Sequence, residues 1–440
     1  MASKVSTAAK LDLGQAFRAL SHRNYRLFFI GQGVSLLGAW MQRMALGWLV
    51  YRLTESPFML GAVGFCSQIL VPIIAPFAGN IADQGGHRRL LIMTQSLAMV
   101  QALVLSVLTL SGLVQVWHIV TLSLTLGLVN GFDMPLRQAF VVEMLEDRRD
   151  LPNAIAMNSL VFNMTRLVGP VLAGVLVALW GEGYAFLINA MTFLTVICAL
   201  WMMKFTRKEL PHRRRRPVGR RLMEGFKYSA SSVTIRNLLL LLALVSLMGI
   251  PYGTLLPAFV ATNLGRGPEM LGLVQGAAGL GAVCGAILLA CRSSVLGLGR
   301  TIAMASLLFG GALTILAMSG SIALILALMT VVGFGNMTIT ASINTILQTV
   351  VEDRRRGRVM SLYTMAVIGM STLGALLMGW IASGIGARGA LAIGGASCLV
   401  FAGLFALQLP KIARHVRNVY ARRGVIPPVE ADSAQLQVKF

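Results

Sequence analysis

From Leu90 to Gly131 the chain runs for 42 residues without Asp, Glu, Lys or Arg, and residues 58–78 are equally free of them. Runs of this kind decide the solvent. An α-helix rises about 1.5 Å per residue, so roughly 20 apolar residues cross a bilayer core. Twelve stretches qualify: 27–50, 58–82, 90–111, 114–141, 154–178, 184–205, 237–263, 270–291, 300–318, 321–347, 359–383 and 390–409. They are referred to below as spans 1 to 12. The longest must tilt or project beyond the lipid. Of all residues 56% are hydrophobic and 12% charged, against about 25% charged in an ordinary soluble domain. A water-soluble fold could not hide that much apolar surface. The expected fold is an all-α membrane protein with twelve transmembrane helices.

The formal charge of +22 invites a nucleic-acid reading, which the placement of the charges rejects. They cluster in short connections between apolar runs. With the N-terminus in the cytoplasm, 33 of the 38 Lys and Arg fall on the cytoplasmic side; Arg52, Arg266 and Arg388 face out, and Arg43 and Arg166 stay inside spans. The positive-inside rule favours this orientation, with both termini cytoplasmic and the chain in a cytoplasmic (inner) membrane. The organisation that follows is a cytoplasmic N-terminal segment (1–26), a six-helix half (27–205), a basic cytoplasmic linker (206–236), a second six-helix half (237–409) and a cytoplasmic tail (410–440). The linker carries "RRRR" at 213–216 and is expected to touch anionic lipid. Its second part, with Leu222 and Phe226, has the makings of a lateral surface helix. After Pro410, Ile412, Val416, Val419 and Tyr420 recur at helical spacing opposite a basic face, as in a helix lying on a membrane. The last residues, "PPVEADSAQLQVKF", read as disordered.

Soluble chemistry finds little footing. The five cysteines, Cys66, Cys198, Cys284, Cys291 and Cys398, form no CxxC, and four of them lie inside spans, with Cys291 as the last residue of span 8; they read as small buried hydrophobes, with no disulfide framework and no zinc site. No HExxH and no Walker A sequence is present, so no metal, cofactor or ATP is expected. No catalytic residue is assigned, since a membrane enzyme would need a nucleophile elbow or clustered acids within the spans. No cleavable signal peptide is expected, because the first apolar run starts too late and is too long.

The chain repeats itself. "GLVNGFDMPLRQAFVVEMLEDRR" (127–149) and "GFGNMTITASINTILQTVVEDRR" (333–355) align Gly127 with Gly333, Asn130 with Asn336, and Glu146–Arg149 with Glu352–Arg355. An offset of 205 then aligns Gly169 with Gly374 and Gly174 with Gly379. The two halves read as parallel repeats, which points to transport by alternating access around a site between them. "LGLVQGAAGLGAVCGA" (271–286) holds Gly272–xxx–Gly276 and Gly281–xxx–Gly285, a helix-packing pattern.

The stretch "GNIADQGGHRR" (79–89) places Gly79, Asp83, Gly86, Arg88 and Arg89 in the pattern G-xxx-D-xx-G-x-R/K-R/K. This resembles the loop 2–3 signature of the major facilitator superfamily, with Gln84 where a basic residue is usual. "NYRLFFIGQGVSLLGAWMQ" (24–42), "GWLVYRLTESP" (47–57), "NGFDMPLRQAF" (130–140), "NSLVFNMTRLVGPVLAG" (158–174) and "RGRVMSLY" (356–363) are similar to the branch holding macrolide efflux proteins and enterobactin-type siderophore exporters. Gly169, Pro170 and Gly174 in span 5 resemble the superfamily's antiporter motif, with Thr165 where Gly is usual. The resemblance implies the major facilitator fold, in which spans 1, 4, 7 and 10 line the cavity with help from 2, 5, 8 and 11. It also implies a cytoplasmic gate. Asp83 would meet the start of span 11, near Val359, where free N–H groups favour a carboxylate. Arg88 and Arg89 would pair with Glu143 or Glu146 at the end of span 4.

A charge at mid-membrane costs roughly 2.5–3.5 kcal/mol on insertion scales. Arg43, Arg166, Asp133 and Arg137 bear that cost. Asp133 and Arg137, spaced i, i+4, can pair on one face, with Pro135 between them able to kink the helix. They are the candidate proton-coupling pair. Arg43 and Arg166 are then left without partners, which suggests an electropositive cavity, with Gln32, Gln68, Asn130, Asn163, Tyr252 and Asn336 as further polar lining. The expected function is proton-coupled export of a small amphiphile, anionic and siderophore-like, by a monomer. The alternatives are a multidrug or macrolide pump, or an importer or lipid flippase on the same scaffold.

Overall fold

The computed structural model describes residues 18–82, 86–145, 147–204, 218–292 and 295–422. Every regular element among them is helical. Spans 1 to 6 are the helices α1 (Arg23–Thr54), α2 (Pro57–Ala82), α3 (His87–Leu110), α4 (Val116–Met144), α5 (Leu151–Trp180) and α6 (Glu182–Met202). A surface helix, α7 (Val218–Ser231), precedes span 7, which is built from α8 (Val233–Met248), α9 (Tyr252–Ala258) and a π turn (Phe259–Asn263). Spans 8 to 10 are α10 (Pro268–Ala290), α11 (Leu298–Met318) and α12 (Ile322–Val350). Span 11 begins with α13 (Asp353–Thr364), passes a π turn (Met365–Gly369), and continues into α14 (Met370–Arg422). Gly386, at φ 78° and ψ 164°, breaks α14 between spans 11 and 12; only a residue without Cβ takes that conformation cheaply.

Ten helices among the described residues are long and apolar enough to cross a membrane, the tenth (Arg355–Pro410) holding spans 11 and 12 together. α1 is not among the ten, although it is 32 residues long; Gln32, Gln42 and Arg43 dilute its apolar character. The exterior is apolar: Trp201 is 68% exposed, Leu179 67% and Leu407 78%. In water such a surface would drive aggregation; against lipid it is solvated. Packing follows the repeat. Span 2 packs on 4, 1 on 6, and 3 on 6 and 4; correspondingly 8 packs on 10, 7 on 12, and 9 on 12 and 10. The halves join through the same operation, span 5 on span 8 and span 11 on span 2.

The repeat glycines sit at equivalent contacts. A Cβ on Gly169 would lie 2.6 Å from Trp40 Cβ on span 1, and one on Gly374 would lie 2.1 Å from the Leu247 carbonyl on span 7. Gly272 and Gly276 abut span 5, across the half boundary, whereas Gly281 and Gly285 abut span 10 within the second half. Pro135 lies inside an uninterrupted α4.

Call the side that carries Arg18 and His22 and the starts of α3, α5 and α7 the basic side. There each half carries a short segment strapped to its own fifth helix. Before span 1, Arg18 Nε and His22 Nε2 reach Asp150 at 3.0 and 2.8 Å, and the Tyr25 hydroxyl donates to the Ala154 carbonyl. Before span 7, Glu224 on α7 accepts from Arg358 on α13 at 3.0 Å, and Arg355 lies 4.5 Å over the Tyr228 ring.

Three sequence expectations need revision here. Span 11 becomes helical at Asp353 rather than near Val359, because the basic segment 353–364 has α7 to pack against. Residues 411–422 run on from span 12 without a break at Pro410, and Ile412 is buried against the protein body rather than laid on lipid. Of the cysteines, Cys398 is buried, but Cys198, Cys284 and Cys291 are exposed; a thiol is tolerated on a lipid-facing helix surface. The runs 213–216 and 423–440, and the side chains of Leu222, Val419 and Tyr420, lie outside the described residues.

Candidate functional site

One face of α1 recurs at spacings of three and four: Gln32, Ser35, Ala39, Gln42 and Leu46. Helical geometry stacks these side chains into a stripe, and the stripe lines a cavity of about 920 Å³. Asn130, Asp133, Arg137 and Val141 on α4 line it at comparable spacing, and Ile155, Asn158, Phe162 and Arg166 do so from α5. The cavity reaches Phe28, Val142 and Leu151 at the basic end of the bundle. A smaller cavity, about 370 Å³, lies between the halves, with Tyr252, Gln275 and Asn336 in its wall. The two share Arg43, Leu46, Ser67, Gln68 and Arg166. All eight residues expected to line a substrate path, Arg43, Arg166, Asn163, Gln32, Gln68, Asn130, Tyr252 and Asn336, therefore line one cavity or both.

The arrangement departs from the cavity implied by the resemblance. The large cavity belongs almost wholly to the first half. Spans 3 and 6 contribute Gln95, Ala98, Asn189 and Phe193, while the second half contributes Met337 alone. The far ends of the halves are in backbone contact through Gly61, Gly174, Gly272 and Gly379.

Arg43 lies 20 residues from the start of α1 and 11 from its end, and Arg166 is at the midpoint of α5. At that depth a charge needs water or a partner. Arg43 is nevertheless exposed and Arg166 half-buried, and the space they meet is the cavity. Neither makes a salt bridge or hydrogen bond among the described residues; Arg43 lies 4.4 Å over the Trp40 ring. Asp133, 4% exposed, is fully engaged. It pairs with Arg137 as the i, i+4 spacing predicts, and accepts from Gln95 Nε2 at 2.6 Å and Thr94 Oγ1 at 3.1 Å. The cavity's charged lining, three Arg and one Asp, leaves it net positive. Gln42 accepts from Asn189 at 2.7 Å and donates to Gln101 at 3.2 Å, tying spans 1, 3 and 6 together behind the cavity wall. Asn163 donates to the Ser159 carbonyl, and Tyr252 packs edge-on to Phe309.

One expected gate pairing, that of Glu143, is replaced by another. Glu143 is 2.8 Å from His87 Nδ1, not paired with Arg88 or Arg89. His87 opens α3 and is buried, and its ring reaches the end of α4. Arg88 donates instead to the Trp201 carbonyl at 2.9 Å. Gly86, with φ 76°, makes the sharp turn into α3. Asp83, Glu146 and the surroundings of Gly79 lie outside the described residues.

Residues 14–435 match the family described as transmembrane secretion effector. The chain belongs to that family of major facilitator transporters. It is a membrane transporter, not an enzyme. The chain is 26% identical to the staphyloferrin A transporter of Staphylococcus aureus over 355 residues, 80% of this chain and 88% of that one. It is 25% identical to the multidrug efflux pump Tap of Mycolicibacterium fortuitum over 362 residues, 81% and 87% of the two chains. Among solved structures, a POT family transporter in complex with 5-aminolevulinic acid matches 89% of this chain and 96% of its own with a TM-score of 0.70 at 12% identity. A bacterial homologue of the iron transporter ferroportin, in an inward-facing state, matches 88% and 98% with a TM-score of 0.64 at 16% identity. At those identities the likeness is one of fold.

Several lining groups escape a sequence reading: Trp40, Gln42, Gln95 and Asn189. Trp40 carried a signal, being three residues before Arg43 on the same helix face. The others look like ordinary interhelical polar residues until their partners on other spans are known.

Proposed function

We propose that the protein is a secondary-active exporter of a small anionic amphiphile, siderophore-like in its acid groups, which it moves by alternating access with protons as the coupling ion. The observation that carries this reading is the meeting of Arg43 and Arg166, both without an acidic partner among the described residues, where the two cavities join. Guanidinium groups bind carboxylates through paired N–H donors, and a site at mid-bundle makes those bonds in a low dielectric. The staphyloferrin A relative supports a siderophore as cargo. On this reading the basic side is cytoplasmic, and Asp133 is the group that exchanges a proton when its pairing with Arg137 breaks during the cycle. Anionic lipid contacts the basic connections, and the unit is a monomer.

A multidrug role is the second reading. Phe28, Phe29, Phe162, Phe193, Met134 and Met337 give the large cavity an adaptable apolar wall, and a relative is the Tap pump.

The deciding experiment follows export from overproducing cells, with acidic siderophores in one arm and lipophilic cationic dyes with macrolides in the other. Selective export of the acids, lost in Arg166→Ala, is expected. Export of the dyes and macrolides alone, unaffected by Arg166→Ala, assigns the arginines to structure and the protein to multidrug efflux.

A further inference from the structure

We infer that Trp40 is the positioning residue of the anion site, and that Gly169 of the span 5 motif supplies the space that seats it. This rests on the reading of Arg43 as a substrate-binding cation.

A long cationic side chain in a wide cavity loses rotamer freedom when it binds a ligand, and that loss weakens the complex. Arg43 has a second handicap. Arg166 lines the same junction and repels it electrostatically. Trp40 counters both effects. It lies one helical turn before Arg43, so its indole lies beneath the arginine on the same face, with the guanidinium carbon 4.4 Å from the ring centroid. The ring's negative face attracts the cation. Guanidinium donors lie in the plane of the group, so a ring against one side leaves them for a carboxylate.

The indole is itself held from span 5. Phe162 meets it edge-on, with centroids 5.6 Å apart at 66°. Gly169, two turns further along, lies against its root: a Cβ there would come within 2.6 Å of Trp40 Cβ and 3.3 Å of the Leu37 carbonyl. An alanine at 169 would have to push Trp40 aside, and Arg43 with it. The motif glycine thereby acts on the substrate site through one side chain.

The test measures KM and Vmax for export of rhizoferrin, a citrate-based polycarboxylate siderophore, in wild type, Trp40→Leu, Trp40→Phe, Gly169→Ala, Arg43→Gln and the double variant Trp40→Leu/Arg43→Gln. Trp40→Leu is expected to raise KM about two- to fivefold with little change in Vmax, the size of a cation–π contact at an exposed site. Trp40→Phe should recover part of the loss, and Gly169→Ala should move KM the same way. In the Arg43→Gln background, Trp40→Leu should add nothing. A fall in Vmax with KM unchanged, or an undiminished effect of Trp40→Leu without Arg43, assigns Trp40 to packing and overturns the inference. If Arg43→Gln leaves KM unchanged, or wild type exports no rhizoferrin, the anion reading itself falls, and this inference with it.

Discussion

Gly174 on span 5 and Gly272 on span 8 meet backbone to backbone: a Cβ on Gly174 would lie 3.1 Å from Gly272 Cα, and 2.8 Å from the Pro268 carbonyl. Gly379 on span 11 and Gly61 on span 2 repeat the contact, with 3.0 Å to the facing Cα. These two pairs close the far side between the halves; the 205-residue offset relates Gly174 to Gly379, and the facing glycines Gly61 and Gly272 lie 211 residues apart. Small residues let helix backbones approach and slide where no side chains interlock.

Enlarging one member of a pair should therefore weaken far-side closure without unfolding either half. Gly61→Ala forces a Cβ within 2.4 Å of the Ala375 carbonyl, and overpacking of this kind costs about 1–3 kcal/mol. Transport should fall at least fivefold, and thiol labelling of a cysteine placed at Thr254, in the wall of the smaller cavity, should become faster from the far side. Gly174→Ala should behave alike. Unchanged labelling with lost transport would show that the contact does not gate.

Asp133→Asn should separate stability from coupling. The variant keeps a side-chain carbonyl for Gln95 but leaves Arg137 unpaired in the span. Breaking a buried pair from one side costs about 3–5 kcal/mol; with Arg137 partly exposed, the lower end is expected, visible as a lowered midpoint of thermal unfolding in detergent. Asp133→Asn/Arg137→Gln should recover most of that stability, yet remain unable to drive uphill substrate export from a proton gradient. Full transport by the double variant would remove Asp133 from the coupling step.

At the far end of span 1, Arg52 donates to both oxygens of Glu182, at 2.8 and 3.1 Å. The two partners differ: the Arg52 side chain is 53% exposed and that of Glu182 7%. Arg52→Ala leaves a buried carboxylate unpaired and should cost about 1–3 kcal/mol, whereas Glu182→Gln keeps hydrogen bonding and should cost less. The order of the two unfolding midpoints checks this, and the reverse order would refute it.

The strap of the second half should prove weaker than its neatness suggests. Glu224 and Arg358 are both partly exposed, and such pairs contribute about 0.2–1 kcal/mol. Glu224→Lys should speed hydrogen exchange in residues 218–231, and exchanging the two charges, Glu224→Arg with Arg358→Glu, should slow it again. No change in exchange would mean that α7 is held by Tyr228 and Gly225 alone.

Much of the candidate site was legible from the chain. Intramembrane charge is expensive, so Arg43, Arg166, Asp133 and Arg137 stood out against apolar spans, and the i, i+4 rule paired Asp133 with Arg137. The gate was read less well. Glu143 went to His87 because pairing there depends on how the ends of α3 and α4 are rotated, and a string of adjacent basic residues does not specify which of them turns inward.

By itself the sequence determined the solvent, the twelve spans, the internal repeat and the glycine packing pattern of span 8. These are written in composition and in periodicities of three to four residues, or in a fixed offset between halves. Only the tertiary structure decided that the large cavity lies within the first half, that Trp40 stands under Arg43 against Phe162, and that Asp133 is shared with Gln95 and Thr94. Each of these depends on the rotation and depth of one helix against another. Packing of side chains far apart in the chain sets those two quantities, and no local pattern records them.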